Sequence, residues 1–184
     1  LADPAETRPV SRPLPHAVVI DPEDSIMTHQ FELEPMADFS RPEPRQQMQE
    51  ALAEVGRQFG RRYPLIIGGE TVHTATVLDS RNPSRPEEVV GRVCTADSSH
   101  VDRAIAAARL AFESGWSRTT AQDRAELLAR AAELIRIRRW ELAAWMVYES
   151  GKPWREADAD VCEAIDYCRF YGREMKRLEA RPRR

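Results

Sequence analysis

The chain has 184 residues, 42% hydrophobic and 31% charged, which suits one soluble globular domain with its own core. Its 27 basic and 30 acidic side chains are well mixed and leave a net charge of -3, so there is no basic footprint for nucleic acid. No apolar run approaches the roughly 20 residues of a membrane-spanning helix, no secretory leader is visible, and an odd cysteine count without C-x-x-C spacing argues against a disulfide framework or zinc site; the cytoplasm fits best.

Eight of the 13 prolines fall in residues 1–44, in stretches such as Arg8-Pro9-Val10-Ser11-Arg12-Pro13 without hydrophobic period, which reads as a linker or wrapping arm. From Arg45 to Phe59 the apolar residues Met48, Leu52 and Val55 recur at spacings of four and three, predicting a short amphipathic helix stopped by Gly60. Tyr63 to Ile67 reads as a strand that enters a Gly68-Gly69 turn. Its expected hairpin partners are Thr74 to Asp79 and Glu88 to Cys94, which are separated by the turn signal Asn82-Pro83-Ser84.

From Ala96 onward the pattern is helical. Ser98 or Ser99 can cap a helix lined by Val101, Ile105, Ala108 and Phe112 and closed by Gly115. Thr120 with Asp123 resembles a capping box, and the helix it opens has a stripe of Leu127, Leu128, Ala131, Leu134 and Ile135 expected to be buried. Leu142, Trp145 and Met146 extend that pattern to the stop Ser150-Gly151-Lys152-Pro153. A long helix then carries Val161, Ala164, Ile165, Cys168, Gly172 and Met175 on one side. Glu156, Glu163, Tyr167, Phe170 and Glu174 cluster roughly opposite. The acidic run Glu156, Asp158, Asp160, Glu163 and Asp166 lacks the loop spacing of a calcium site and reads mainly as a solvated helix face. The mixed face of carboxylates and aromatics is either solvated or covered by further protein or a ligand.

Cys94, Cys162 and Cys168 read as packed, neutral thiols, because none of the four histidines stands in a Cys-His context that would activate a nucleophile. No G-x-G-x-x-G loop, Walker loop, H-E-x-x-H or G-x-S-x-G occurs, so these residues encode neither a nucleotide cradle nor a complete catalytic centre.

Four stretches, in this order, resemble the start of an aldehyde dehydrogenase. They are Leu65-Ile66-Ile67-Gly68-Gly69-Glu70; Asn82-Pro83-Ser84 followed by Val89-Val90-Gly91-Arg92-Val93; Ala104-Ile105-Ala106-Ala107-Ala108-Arg109 leading to Phe112 and Trp116; and Glu149-Ser150-Gly151-Lys152-Pro153-Trp154. Within that superfamily, Tyr63 to Glu70, Gly151 to Val161 and Glu163 to Gly172 resemble the L-glutamate γ-semialdehyde dehydrogenases, also called 1-pyrroline-5-carboxylate dehydrogenases. The arm from Phe31 to Phe39 resembles that family's leader. The proline-rich stretch before it is either a leader or the connector of a bifunctional enzyme whose proline dehydrogenase domain comes first.

The resemblance implies an α/β fold for the full enzyme, of which this chain is a mostly α-helical N-terminal portion with a short β-hairpin. Residues 1–44 would form the linker or arm and residues 45–184 the start of the dehydrogenase domain. It further implies a full-length homo-oligomer that oxidises L-glutamate γ-semialdehyde to L-glutamate in proline catabolism. The mechanism would be thiolate attack, hydride transfer to NAD and hydrolysis of the thioester. The nucleophile, the base and the NAD-binding loop would lie further along such chains. One site residue carries over: Glu163 matches the glutamate of an A-E-x-I-D-F motif that borders the substrate pocket, with Cys162 in place of the usual small residue. Without the resemblance, the alternative is a helical interaction module whose Gly-Lys-Pro-Trp stop and acidic helix bind a protein partner.

Overall fold

The computed structural model describes residues 31–180; the proline-rich reading of residues 1–30 lies outside them. Helix α1 spans Pro42–Gly56 and starts three residues earlier than the apolar period suggests, because a proline in its first turn fixes φ at a helical value and needs no amide partner. The chain leaves that helix through a turn ending at Gly60, whose φ is +74°.

The strands are Arg61–Tyr63 (β1), Leu65–Ile67 (β2), Glu70–Val72 (β3), Val77–Asn82 (β4) and Arg85–Cys94 (β5). The expected single strand from Tyr63 to Ile67 is divided at Pro64, which has no N–H for a ladder. As a result β1 lies parallel to β5, with Tyr63 opposite Val93, in a three-stranded sheet ordered β1-β5-β4. Meanwhile β2 turns back at once through Gly68 and Gly69, at φ +62° and +85°, to pair antiparallel with β3. The predicted partners of the Gly-Gly hairpin are therefore corrected: its partner is β3, whereas β4 and β5 pair with each other, Val77 opposite Cys94.

Helix α2 spans Ser98–Ser114, and its cap is Asp97 rather than either serine. Asp97 Oδ1 accepts from the His100 amide at 3.1 Å and from the Ser99 hydroxyl at 2.7 Å, which places the serine inside the first turn as a donor to the cap. The Ser99 hydroxyl, then the His100 amide and ring, hold the Asp97 carboxyl well below the usual carboxylate range. A short 3-10 turn at Trp116–Arg118 leads to α3, Ala121–Ile137. There the Thr120 hydroxyl accepts from the Asp123 amide at 3.1 Å, as its spacing predicts.

No glycine or proline marks the end of α3, yet the helix breaks at Arg138, φ -99° and ψ 15°, and α4 begins at Arg139 and runs to Ser150. The continuous periodic run from Leu134 to Met146 conceals this break. Gly151 ends α4 in the left-handed conformation at φ +66°, as the stop signal requires. Helix α5, Trp154–Glu179, follows Pro153.

The core is helical. Met48 and Val55 of α1, Ala143 and Ala144 of α4, and Val161 and Ile165 of α5 are buried together. Helices α3 and α5 run antiparallel: the Ala121 amide at the start of α3 donates to Glu179 at the end of α5, and Gly172 lies against Ala125. Small residues at that crossing allow the two backbones to approach closely. The sheet joins the helices at α4, where the Ser80 hydroxyl donates to Glu149 at 2.8 Å.

One expected buried stripe, that of α3, does not match, and the apolar face of α2 stays open. Helix α2 has no buried residue, and Val101, Ile105 and Phe112 are 49%, 55% and 55% exposed. In α3 the inward face is Ala121, Ala125 and Ala132, while Leu127 and Leu134 point outward. An apolar period marks a face suited to burial; it does not say that these residues cover it. The 184-residue chain prepared alone is therefore expected to bind a hydrophobic dye and to self-associate. A dye-silent monomer with one sharp unfolding transition would contradict this.

Candidate functional site

Helix α5 presents two chemically different faces. Its buried side carries Ala157, Val161, Ile165 and Gly172, spaced by four, four and seven residues along one stripe. Asp158 also lies on that side, three residues before Val161 and seven before Ile165, and is only 1% exposed.

The acidic run is thus not one solvated face. Arg139 grips Asp158 with two bonds, Nε to Oδ1 at 2.6 Å and Nη2 to Oδ2 at 2.8 Å, and the Ala37 amide donates to Oδ2 at 2.8 Å. Arg139 also donates to the Pro35 carbonyl at 3.1 Å. One turn away, Arg136 of α3 holds Glu34 at 3.0 and 2.7 Å, and the Glu34 amide donates to Asp166 at 2.9 Å. The Arg136 hydrogen bond holds the Glu34 carboxyl below its ordinary value even though burial opposes it. Asp160 pairs with Lys152. Together these contacts strap residues 34–37 across α3, α4 and α5. Sequence reasoning missed the strap, although an aspartate on an apolar stripe was a usable signal.

On the outer side Glu163 is exposed, and its Oε1 accepts from the Tyr167 hydroxyl at 3.1 Å. Hydrogen bonding to that carboxylate, and its charge, push the Tyr167 phenol above its ordinary value. Tyr167, Phe170 and Tyr171 are 53%, 41% and 57% exposed. Their rings form a chain: Tyr167 to Tyr171 at 5.9 Å, Tyr171 to Phe170 at 5.4 Å, and Phe170 to Phe31, three residues before the strap, at 5.6 Å. The structure thus brings Glu163, Tyr167 and Phe170 onto one surface, while Glu174 pairs with Arg177 further along the helix.

The thiols lie away from this surface. Cys94 and Cys162 are buried and Cys168 half-buried, all unbridged. Burial pushes the Cys162 thiol up to about 11, so it stays protonated at neutral pH. Among the described residues no group of three or more His, Cys, Asp or Glu side chains could hold a metal ion, and no helix is long and apolar enough to cross a membrane.

The aldehyde dehydrogenase family model matches residues 71–183. The chain belongs to the aldehyde dehydrogenase family. The 1-pyrroline-5-carboxylate dehydrogenase of Geobacillus thermodenitrificans is 47% identical over 153 residues, which are 83% of this chain and 30% of that protein. Among solved structures, the Thermus 1-pyrroline-5-carboxylate dehydrogenase with bound NAD is 47% identical with a TM-score of 0.76, over 80% of this chain and 28% of that one. Proline utilization A from Bdellovibrio bacteriovorus aligns with a TM-score of 0.79 at 34% identity, over 81% of this chain and 16% of that one. The chain thus spans about 30% of the length of the curated relatives it matches. The aldehyde dehydrogenase resemblance and the mostly helical character of this segment both hold. Two small sheets stand in place of the one short hairpin expected.

Proposed function

We propose that this chain is the N-terminal part of an NAD-dependent L-glutamate γ-semialdehyde dehydrogenase, with residues 1–44 a linker or arm and residues 45–184 the start of the dehydrogenase domain. The observation that carries this reading is the 47% identity over 153 residues to a 1-pyrroline-5-carboxylate dehydrogenase. In this reading Glu163 borders the substrate, where its carboxylate accepts a hydrogen bond from the ammonium group or relays a proton near the aldehyde. A full-length homo-oligomer working in the cytoplasm completes the proposal.

Two helix starts in this chain offer no cradle for the pyrophosphate of a dinucleotide. The N-terminus of α2 is already occupied by the Asp97 carboxylate and that of α3 by Thr120 with Asp123. A negative side chain at a helix start competes with a pyrophosphate for the same amides. NAD, which accepts the hydride in this chemistry, is assigned to the rest of the enzyme. The interaction-module alternative gains no support from its Gly-Lys-Pro-Trp stop. Trp154 packs against Phe39 at 5.8 Å, and Lys152 is taken by Asp160, so both are engaged within the fold.

The test has two arms. Full-length protein should reduce NAD when given L-glutamate γ-semialdehyde, whereas the 184-residue chain should neither turn over substrate nor release heat on titration with NAD. Saturable micromolar NAD binding by the short chain would overturn the assignment of the cofactor site, and a full-length protein inert toward this aldehyde would overturn the substrate.

A further inference from the structure

We propose that the Tyr167 hydroxyl is a positioning group that holds the Glu163 carboxylate in its substrate-facing orientation. The inference rests on the reading of Glu163 given above. Residues four apart on a helix lie on the same face, and here the phenol donates to Oε1 at 3.1 Å.

Such a pair on an open helix surface would be a weak, fluctuating contact. Tyr167 is not left to fluctuate alone, because its ring leans on Tyr171, whose ring meets Phe170, which meets Phe31 edge-on at 5.6 Å. Phe31 in turn lies under the Arg169 guanidinium at 5.8 Å, and Arg169 pairs with Glu34 at 3.7 Å. Glu34 is fixed by Arg136 and by its own amide bond to Asp166. A continuous path of packed rings and ion pairs therefore runs from the strap to the phenol oxygen. Glutamate is among the side chains with most rotamer freedom to lose, and a partner that orders it beforehand removes that cost from substrate binding.

The effect should appear in KM rather than in kcat. In the full-length enzyme, Tyr167→Phe keeps the ring and deletes only the donor. It is expected to raise KM for L-glutamate γ-semialdehyde about 3- to 10-fold, with kcat within about twofold and KM for NAD unchanged. In the Glu163→Ala background the same substitution should have no further effect, because the acceptor is already gone. An equal loss in both backgrounds would mean that the hydroxyl acts otherwise than through Glu163, and would overturn the proposal. An impaired Glu163→Ala with a kinetically silent Tyr167→Phe would sink the positioning role alone, whereas wild-type kinetics for Glu163→Ala would remove the reading beneath it. A general folding defect would lower kcat and active enzyme content together, which separates it from the KM change.

Discussion

Glu163→Ala in the full-length enzyme is expected to lower kcat/KM for L-glutamate γ-semialdehyde about 10- to 1000-fold, the range of one well-placed acid-base or hydrogen-bonding group. The affinity for NAD should remain nearly unchanged. The expectation rests on Glu163 being a carboxylate on a surface of exposed rings, with the Tyr167 hydroxyl bonded to Oε1. Once further protein covers that surface, the carboxylate loses water and its interaction with a substrate ammonium gains strength. A carboxylate that simply faced solvent would change stability by less than about 0.5 kcal/mol on removal and leave kinetics alone. Glu174→Ala serves as the control: it lies 11 residues further along α5, about 16 Å at 1.5 Å per residue, and pairs with Arg177. Wild-type kcat/KM for Glu163→Ala, or an equal loss for Glu174→Ala, would show that the motif role does not belong to this glutamate.

Asp158→Ala should act on folding. With the carboxylate gone, Arg139 keeps a guanidinium whose side chain is only 13% exposed, and the Ala37 amide loses its acceptor. Removing one partner of a buried pair typically costs about 3 to 5 kcal/mol, because the remaining charge has lost both water and its counter-ion. The measurement is the midpoint of denaturant unfolding of the full-length protein, and the strap should also become more susceptible to proteolysis near residues 34–37. Replacing the pair together, by Asp158→Leu with Arg139→Met, should recover part of the loss, since no charge is then stranded, but not all of it, because the Ala37 amide stays unpaired. A loss below about 1 kcal/mol for the single substitution would show that the strap contributes little to stability. Asp158 and Glu163 stand five residues apart on one helix, so the two variants also separate scaffold from chemistry. The first should unfold easily with a normal KM per folded molecule; the second should fold normally with a lowered kcat/KM.

The features legible from neighbouring residues are local ones. Gly151 before Pro153 dictates where α4 must stop, Thr120 before Asp123 where α3 starts, and Gly68-Gly69 where the chain must reverse, because each is a backbone constraint that neighbouring residues impose. The family was legible for a similar reason: its four stretches are short motifs in a set order. Glu163 was legible as a candidate on one motif, but not its hydrogen bond to Tyr167.

The tertiary structure decided which periodic faces are buried within this segment. Val101, Ile105 and Phe112 of α2 have the same period as a core helix, yet among the described residues they stay about half exposed, since a period records a need for burial without naming the partner. It also decided the pairing of β1 with β5, which has no neighbour-level signal. Asp158 is the plainest case: among the seven acidic residues of α5, only its distant partners, Arg139 and the Ala37 amide, make a buried carboxylate affordable, and those partners meet it only when the strap lies across the bundle.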